Sequence, residues 1–195
     1  VKKTVLSDYG NIRKGGIWAV KLHEDDEVIG VGITSGQDEL MLATREGKAI
    51  HFKETDVRSM SRHTAGVRGI NLQKGDEVVS MIIAHKDATL LTVCENGYGK
   101  RTNFNEYSLQ KRGGKGVINI KTSQRNGIVV GSRAVREGEN LMATTRAGQI
   151  IRMGIDDISV IGRATQGVRV VRLREEDSVI SIATISNAEQ DVTEG

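Results

Sequence analysis

The chain repeats itself about every 50 residues, and no other feature restricts its fold as strongly. Three stretches match one another in pattern: "DELMLATREGKAIHF" (38–52), "ATLLTVCENGYGKRT" (88–102) and "ENLMATTRAGQIIRM" (139–153). The match makes Gly47, Gly97 and Gly148 equivalent, at spacings of 50 and 51 residues. Such a period is typical of arrays in which each unit buries an apolar face against its neighbour.

Two shorter sets of segments recur at the same spacing and complete the unit. One set aligns Gly66, Gly116 and Gly167 within "RHTAGVRGINL", "KRGGKGVINIK" and "RATQGVRVVRL". The other comprises "DDEVIGVGI", "GDEVVSMII", "RNGIVVGSR" and "EDSVISIAT". Each unit therefore reads as strand, glycine turn, strand, polar loop, strand, turn and strand. A partial unit without an opening strand (1–34) precedes three complete units (38–84, 88–135 and 139–185).

The composition and periodicity favour strands throughout. Apolar runs are short and rich in Val, Ile, Leu and Thr, and none carries a helical apolar stripe over three turns. Turns such as Asn96-Gly97 supply the positive φ that tight hairpins need. We predict an all-β fold, a propeller-like array of four-stranded blades with about 50 residues per repeat, over residues 1–188. The acidic tail, residues 189–195, is predicted to be disordered.

Net charge and cysteine content restrict the kind of partner and the redox compartment of the chain. The formal net charge is +3, and the last seven residues hold three acidic and no basic side chains, so the body is more basic than the total. A basic body favours a polyanionic partner, although solvation alone also explains such a charge. Cys94 is the single cysteine, which excludes an intramolecular disulfide and indicates a reducing compartment. No apolar run is long enough for a membrane span.

No catalytic centre is visible in the sequence. The four histidines never stand at metal-ligand spacing. Acidic clusters such as "EDDE" (24–27) and "REED" (174–177) recur at the same turn, which indicates a structural role rather than paired-carboxylate catalysis. Tyr107 stands near Lys111 and Arg112, but the other units offer no equivalent nucleophile. We predict no catalytic residue, metal or cofactor in this chain.

The polar loop of every unit is basic, and "QKRGGKG" (110–116) is the most cationic. It holds three cations and three glycines in seven residues, and glycine lets a main chain approach phosphate closely. Repetition would bring these loops to one edge of the array. The absence of a recognition helix and the scarcity of aromatic residues favour phosphate contacts over base reading. The predicted DNA-binding residues are Gln110, Lys111, Arg112, Gly113, Gly114, Lys115, Gly116, Arg13, Lys14, Arg62, Arg68, Arg163, Arg169, Lys100, Arg101 and Arg152.

Two functions fit this pattern of basic loops. The first is a surface that bends duplex DNA, and because bending about 20–30 base pairs costs about 1–6 kcal/mol, several loops must contribute. The second is a protein-binding propeller whose basic loops only solvate one face. An affinity for duplex DNA that falls steeply with salt would distinguish the first from the second.

The seven-residue segment closely resembles a family motif. It is similar to the Gln-Arg-Arg-Gly-Gly-Lys/Arg-Gly box in the C-terminal domain of DNA gyrase A subunits, with Lys111 in place of an arginine. The surrounding "ENGYGKRTNFNEYSLQKRGGKGVINIK", "AGVRGI" (65–70) and "TQGVRV" (165–170) also look like blades of that domain. The paralogous domain of topoisomerase IV has an eroded box, so the nearly intact box favours gyrase, with topoisomerase IV as the alternative.

The resemblance, which covers residues 1–185, implies a β-pinwheel, a disc whose blades exchange strands and whose basic rim wraps DNA. It also implies three partners: duplex DNA, the gyrase B subunit, and the rest of the gyrase A chain. In that holoenzyme of two A and two B subunits, located in the bacterial cytoplasm, wrapping enables ATP-dependent negative supercoiling, with ATP and Mg²⁺ used outside this chain. The cations of the box would contact phosphate, and its glycines would permit the approach.

One feature departs from the family pattern. The family's box belongs to the first of six blades, whereas here it lies in the third unit. Either a later blade carries a box-like loop, or the order of the blades differs.

Overall fold

The computed structural model describes residues 1–12 and 14–186, and within these ranges the regular elements are strands and single-turn 3-10 helices. The prediction of an all-β fold is confirmed. None of the described helices has the length and apolarity needed to cross a membrane. The strands are β1 (Glu39–Thr44), β2 (Lys48–Lys53), β3 (Val78–Ala84), β4 (Thr89–Cys94), β5 (Tyr98–Asn103), β6 (Val117–Ile118), β7 (Val129–Val135), β8 (Asn140–Thr145), β9 (Ile150–Gly154), β10 (Val168–Arg169) and β11 (Val179–Ile185). The 3-10 turns are Leu6–Tyr9, Glu54–Asp56, Phe104–Glu106 and Ile155–Asp157.

The strands form three antiparallel sheets, each built on one repeat. The first sheet has the order β3-β1-β2-β6, the second β10-β5-β4-β7 and the third β11-β8-β9. The two-residue strands β6 and β10 come from the following unit and pair with β2 and β5. Each complete four-stranded sheet therefore borrows its last strand from the next repeat, as the resemblance implied.

Glycine turns close the central hairpins in the predicted way. Gly47, Gly97 and Gly148 have φ values of 83°, 77° and 80°, a region that disfavours residues with a Cβ atom. The hairpin register pairs Glu39 with Lys53 in the first sheet and Thr89 with Asn103 in the second.

The hydrophobic core lies between successive sheets, because each strand sends alternate side chains to opposite faces. Leu90 packs with Met41 and Phe104 toward the first sheet. Its neighbour Leu91 packs with Leu141 toward the third sheet. The edge strand β7 also packs against β3 and β11, so these three strands form a hub. The borrowed strands β6 and β10 lie at the opposite edges, which form the rim.

The first unit differs from expectation. Its segment "DDEVIGVGI" was expected to contain a strand, and the described residues up to 35 form no strand beyond an isolated bridge between Lys3 and Ser59. The equivalent strands β3, β7 and β11 pair with the opening strand of their own unit. Among the described residues no opening strand precedes this segment, so it has no strand edge to join. The acidic tail lies outside the described residues.

Candidate nucleic-acid interface

The loop formed by residues 110–116, which we call the box loop, runs along the rim of the first sheet. The Gln110 N–H donates to the His51 carbonyl at 2.8 Å, and the Asn119 N–H donates to the Gly47 carbonyl at 2.9 Å. Between these points the Gly114 carbonyl accepts from the Asn71 N–H at 2.8 Å. The box loop and the residues that follow it are therefore attached to β2 at His51 and to the turn before β2 at Gly47.

The basic loops of the neighbouring units occupy equivalent positions. In the fourth unit, the Ile161 N–H donates to the Arg101 carbonyl on β5 at 2.9 Å. In the second unit, the Met60 N–H donates to the Lys3 carbonyl at 2.8 Å. Three of the four basic loops thus make equivalent contacts along the outer margin of successive units, as repetition predicted for them, and no equivalent contact is seen for the loop of the first unit in the described residues.

One arginine of each loop contacts the protein main chain. A terminal guanidinium nitrogen donates to a carbonyl 44 or 45 residues earlier. The Arg112 Nε also donates to the Asp56 carbonyl at 2.8 Å. That these arginines hold the loops in place was not predicted from the sequence. The recurrence of the arginine at spacings of 50 and 51 residues is the signal that could have indicated a structural role. The pairs are Arg62 with Trp18 at 2.7 Å, Arg112 with Arg68 at 3.0 Å and Arg163 with Ile118 at 3.0 Å.

Two of the predicted DNA-binding cations are buried. Lys100 is 0% exposed and Arg101 is 6% exposed. The Lys100 ammonium donates to the carbonyls of Gly162 and Arg163 at 2.8 and 2.6 Å, and burial lowers its pKa to about 8. Arg101 Nε donates to the Ile158 carbonyl at 2.7 Å. The prediction for these two residues is wrong, because the loop of the fourth unit covers this part of β5.

Other predicted cations are exposed to solvent. Lys111 and Lys115 project from the box loop, and their side chains make no hydrogen bond to a described residue. Arg13 lies outside the described residues. The remaining exposed cations of the predicted set are Lys14, Arg68, Arg152 and Arg169.

The glycines of the box have different tasks. Gly116 has φ of 66°, and a Cβ atom there would collide with the Ala49 carbonyl of β2. Packing of the box loop against β2 therefore requires a glycine at position 116. Gly113 has φ of 82° and turns the chain. At Gly114 a Cβ atom would meet Gln110 Oε1, Ile50 Cδ1 and the Lys111 carbonyl at ordinary contact distances of 3.5 to 3.7 Å, so packing on the protein does not require glycine here.

A buried hydrogen-bond chain pins the base of the box loop. Tyr107 precedes the loop, Asn119 follows it, and the Tyr107 hydroxyl donates to Asn119 Oδ1 at 2.6 Å. Asn119 Nδ2 donates to the Thr92 hydroxyl at 2.9 Å, which lies 3.0 Å from the Ser132 hydroxyl on the hub strand β7. The equivalents of Tyr107 in the other complete units are Val57 and Ile158, so this chain of hydrogen bonds belongs to the box unit.

The residues that could be considered for catalysis are either buried or hydrogen-bonded to the main chain of the protein. Burial raises the pKa of the Tyr107 hydroxyl above its ordinary range and raises the pKa of the Cys94 thiol to about 12. In the recurring acidic turns, Asp76 accepts from the Glu46 N–H and Asp177 accepts from the Ala147 N–H, both at 3.0 Å. Among residues 1–12 and 14–186, no three His, Cys, Asp or Glu residues come together as a metal site.

These features define a class: a propeller of strand-exchanging blades that carries cationic loops on its rim. The family model described as "DNA gyrase C-terminal domain, beta-propeller" matches residues 1–35, 38–85, 88–136 and 139–186. The chain belongs to this family.

Named relatives agree with this assignment. The chain is 47% identical over 186 residues to the DNA gyrase A subunit of Escherichia coli (strain K12), covering 95% of this chain and 21% of that protein. It is 43% identical to the DNA gyrase A subunit of Staphylococcus aureus (strain NCTC 8325), covering 99% and 22%. The chain therefore spans about a fifth of the length of these curated relatives.

Solved structures share the fold. The C-terminal domain of DNA topoisomerase IV superposes with a TM-score of 0.89 at 26% identity, covering 100% of this chain and 64% of that one. A DNA gyrase A C-terminal domain gives a TM-score of 0.81 at 31% identity, covering 89% and 59%. Sequence identity thus places the chain nearer to gyrase A than to topoisomerase IV.

Proposed function

We propose that this chain binds and bends duplex DNA without sequence preference, along the margin formed by its basic loops. The observation that carries the proposal is the equivalent placement of three such loops on the outer edge of successive units. Phosphates recur along a duplex whatever its sequence, so a series of cations on one margin suits backbone contacts.

The box loop is the main contact in this proposal. Lys111 and Lys115 supply the free charges, and Arg112 holds the loop in place through its bonds to Asp56 and Arg68. Gly114, where packing on the protein does not require glycine, would let the main chain approach a phosphate oxygen closely.

The family membership supports a role within a larger enzyme. As the C-terminal domain of a gyrase A chain, it would wrap DNA beside the catalytic core of a holoenzyme with B subunits. The wrap would favour one sense of DNA crossing and thereby enable ATP-dependent negative supercoiling. The ATP and Mg²⁺ of that reaction would bind outside this chain.

The proposal is tested by measuring duplex affinity against salt and DNA bending by ring closure of a short fragment. Double substitution of Lys111 and Lys115 with alanine should reduce bending and lower the salt slope by about 2, since each phosphate contact contributes about 0.9. The control replaces Lys86, which follows the hub strand β3, and Arg133, which is exposed on the hub strand β7, so that the same charge is removed away from the box loop. Absence of duplex binding by the unsubstituted chain would instead support a protein-binding scaffold.

A further inference from the structure

Two arginines converge on one tyrosine at the rim of the second sheet. The Arg125 guanidinium carbon lies 4.6 Å from the centre of the Tyr98 ring, and that of Arg169 lies 5.2 Å from it. Arg169 Nη2 also donates to the Tyr98 hydroxyl at 2.9 Å. We call these three residues the Tyr98 cluster.

Main-chain contacts hold the backbone at each member of the cluster. Arg169 stands directly opposite Tyr98 in the ladder between β10 and β5. Arg125 lies in a loop organised by Asn126, which is fully buried and donates from Nδ2 to the Lys121 and Gln166 carbonyls at 2.9 and 3.1 Å. The backbone positions that bring the two arginines to Tyr98 are therefore set before any ligand binds.

The two positive charges lack an acidic partner in the part of the chain that the structure describes. No described carboxylate lies within 4.0 Å of either guanidinium. The ring face attracts both cations, which offsets part of their mutual repulsion. An anion bound between the two arginines would offset the remaining repulsion.

We propose that Arg125 and Arg169, held by Tyr98, form a phosphodiester-binding site on the second sheet. The proposal rests on the DNA-bending function and adds a contact that the box does not supply. The box loop lies on β2 at the rim of the first sheet, and Tyr98 lies on β5, the equivalent strand of the next sheet. A duplex that follows the margin from the box therefore meets the cluster on the adjacent sheet.

The chemistry of the cluster suits phosphate. Guanidinium groups present paired donors that match two phosphate oxygens. Arg169 Nη2 donates to the Tyr98 hydroxyl and Arg125 Nη1 donates to Gln166 Oε1 at 3.4 Å, and the other N–H groups of both side chains make no hydrogen bond to a described residue. Because the ring already restricts both side chains, binding loses less side-chain entropy than it would with two unrestrained arginines. The equivalents of Tyr98 are Lys48 and Gln149, so the arrangement belongs to the second sheet among the three.

The test compares three variants of the 195-residue chain in the salt-dependent duplex assay. Double substitution of Arg125 and Arg169 with alanine should lower the salt slope by about 2 and the affinity at least tenfold. The matched control, Arg133→Ala with Arg136→Ala, removes two charges beside the hub, where Arg136 is already paired with Asp87. Tyr98→Ala removes no charge and should weaken binding severalfold with little change of slope.

Each outcome decides the proposal. Equal losses in the cluster variant and the control would overturn it while leaving the box and the proposed function intact. Failure of the unsubstituted chain to bind duplex would overturn the proposed function itself. NMR signals of the Arg125 and Arg169 Nε–H groups should shift with duplex DNA. A shift with inorganic phosphate and none with duplex DNA, at matched ionic strength, would identify a free-anion site and overturn the DNA assignment.

Discussion

Arg112 Nη1 lies 3.0 Å from the main-chain oxygen of Arg68, a residue that precedes it by 44 positions. The same bond recurs between Arg62 and Trp18 and between Arg163 and Ile118. Each bond joins the basic loop of one unit to the rim segment of the unit before it. The middle cation of the box therefore positions the loop, and the lysines on either side of it remain available to a ligand.

Removing the Arg112 side chain should lower stability as well as DNA bending. Arg112→Ala breaks two charge-assisted hydrogen bonds, which at a half-exposed site contribute about 1–2 kcal/mol together. Lys111→Ala should reduce bending without that loss, because its side chain bonds to no described residue. Thermal unfolding and ring closure measure the two effects. Equal stability of the two variants would contradict the positioning role.

The Tyr107 hydroxyl should control the order of the box loop. Tyr107→Phe leaves the buried Asn119 Oδ1 without its donor, which costs about 1–3 kcal/mol. Hydrogen exchange of the amides in residues 110–116 should accelerate. Tyr9→Phe is the control, because the Tyr9 hydroxyl makes a long, exposed contact of 3.4 Å. Unchanged exchange in Tyr107→Phe would exclude the pinning role.

Gly114 and Gly116 of the box should respond differently to substitution by alanine. Gly116→Ala places a Cβ atom against the Ala49 carbonyl at a positive φ, so the unfolding free energy should fall by more than about 1 kcal/mol. Gly114→Ala should leave stability within about 0.5 kcal/mol because space is available there. If Gly114 provides access for phosphate, its variant should still bend DNA less. Denaturant unfolding and ring closure give the two readouts.

Lys100 should make stability rise in mildly alkaline solution. Its pKa is lowered by burial from 10.5 to about 8 in the folded chain, so between these values only the unfolded chain binds the proton and stability increases with pH. Relative to Lys100→Met, the unsubstituted chain should gain up to about 3 kcal/mol across that window. Lys53→Met, at an exposed position, should retain the rise. A constant difference between the unsubstituted chain and Lys100→Met would show that burial does not shift this pKa.

The tyrosines should titrate in separable steps. The guanidiniums of Arg125 and Arg169 lower the pKa of the Tyr98 hydroxyl because they stabilise the phenolate, whereas burial raises that of Tyr107. Ultraviolet difference spectroscopy should show an early phase that Tyr98→Phe removes. Arg125→Ala should move this phase to higher pH. An early phase that survives Tyr98→Phe would assign it to another tyrosine.

The sequence alone determined the architecture because its signals are local and periodic. Equivalent glycines at 47, 97 and 148 marked hairpin turns, and they adopt positive φ because a tight turn requires it in any surroundings. The spacing of about 50 residues defined the blade, and the basic segment 110–116 was recognisable from its composition. Its position on the margin followed from repetition.

Tertiary structure decided which cations are available. Lys100 and Lys111 look alike in the sequence, but Lys100 lies on β5 beneath the loop of the fourth unit and Lys111 projects from its loop. Likewise Arg112 bonds to carbonyls more than forty residues away, and Arg125 joins Arg169 across two repeats. Burial and partnership depend on contacts between distant units, because the exchanged strands place the loop of one repeat on the rim of another. A local sequence pattern does not indicate which distant residues will come into contact.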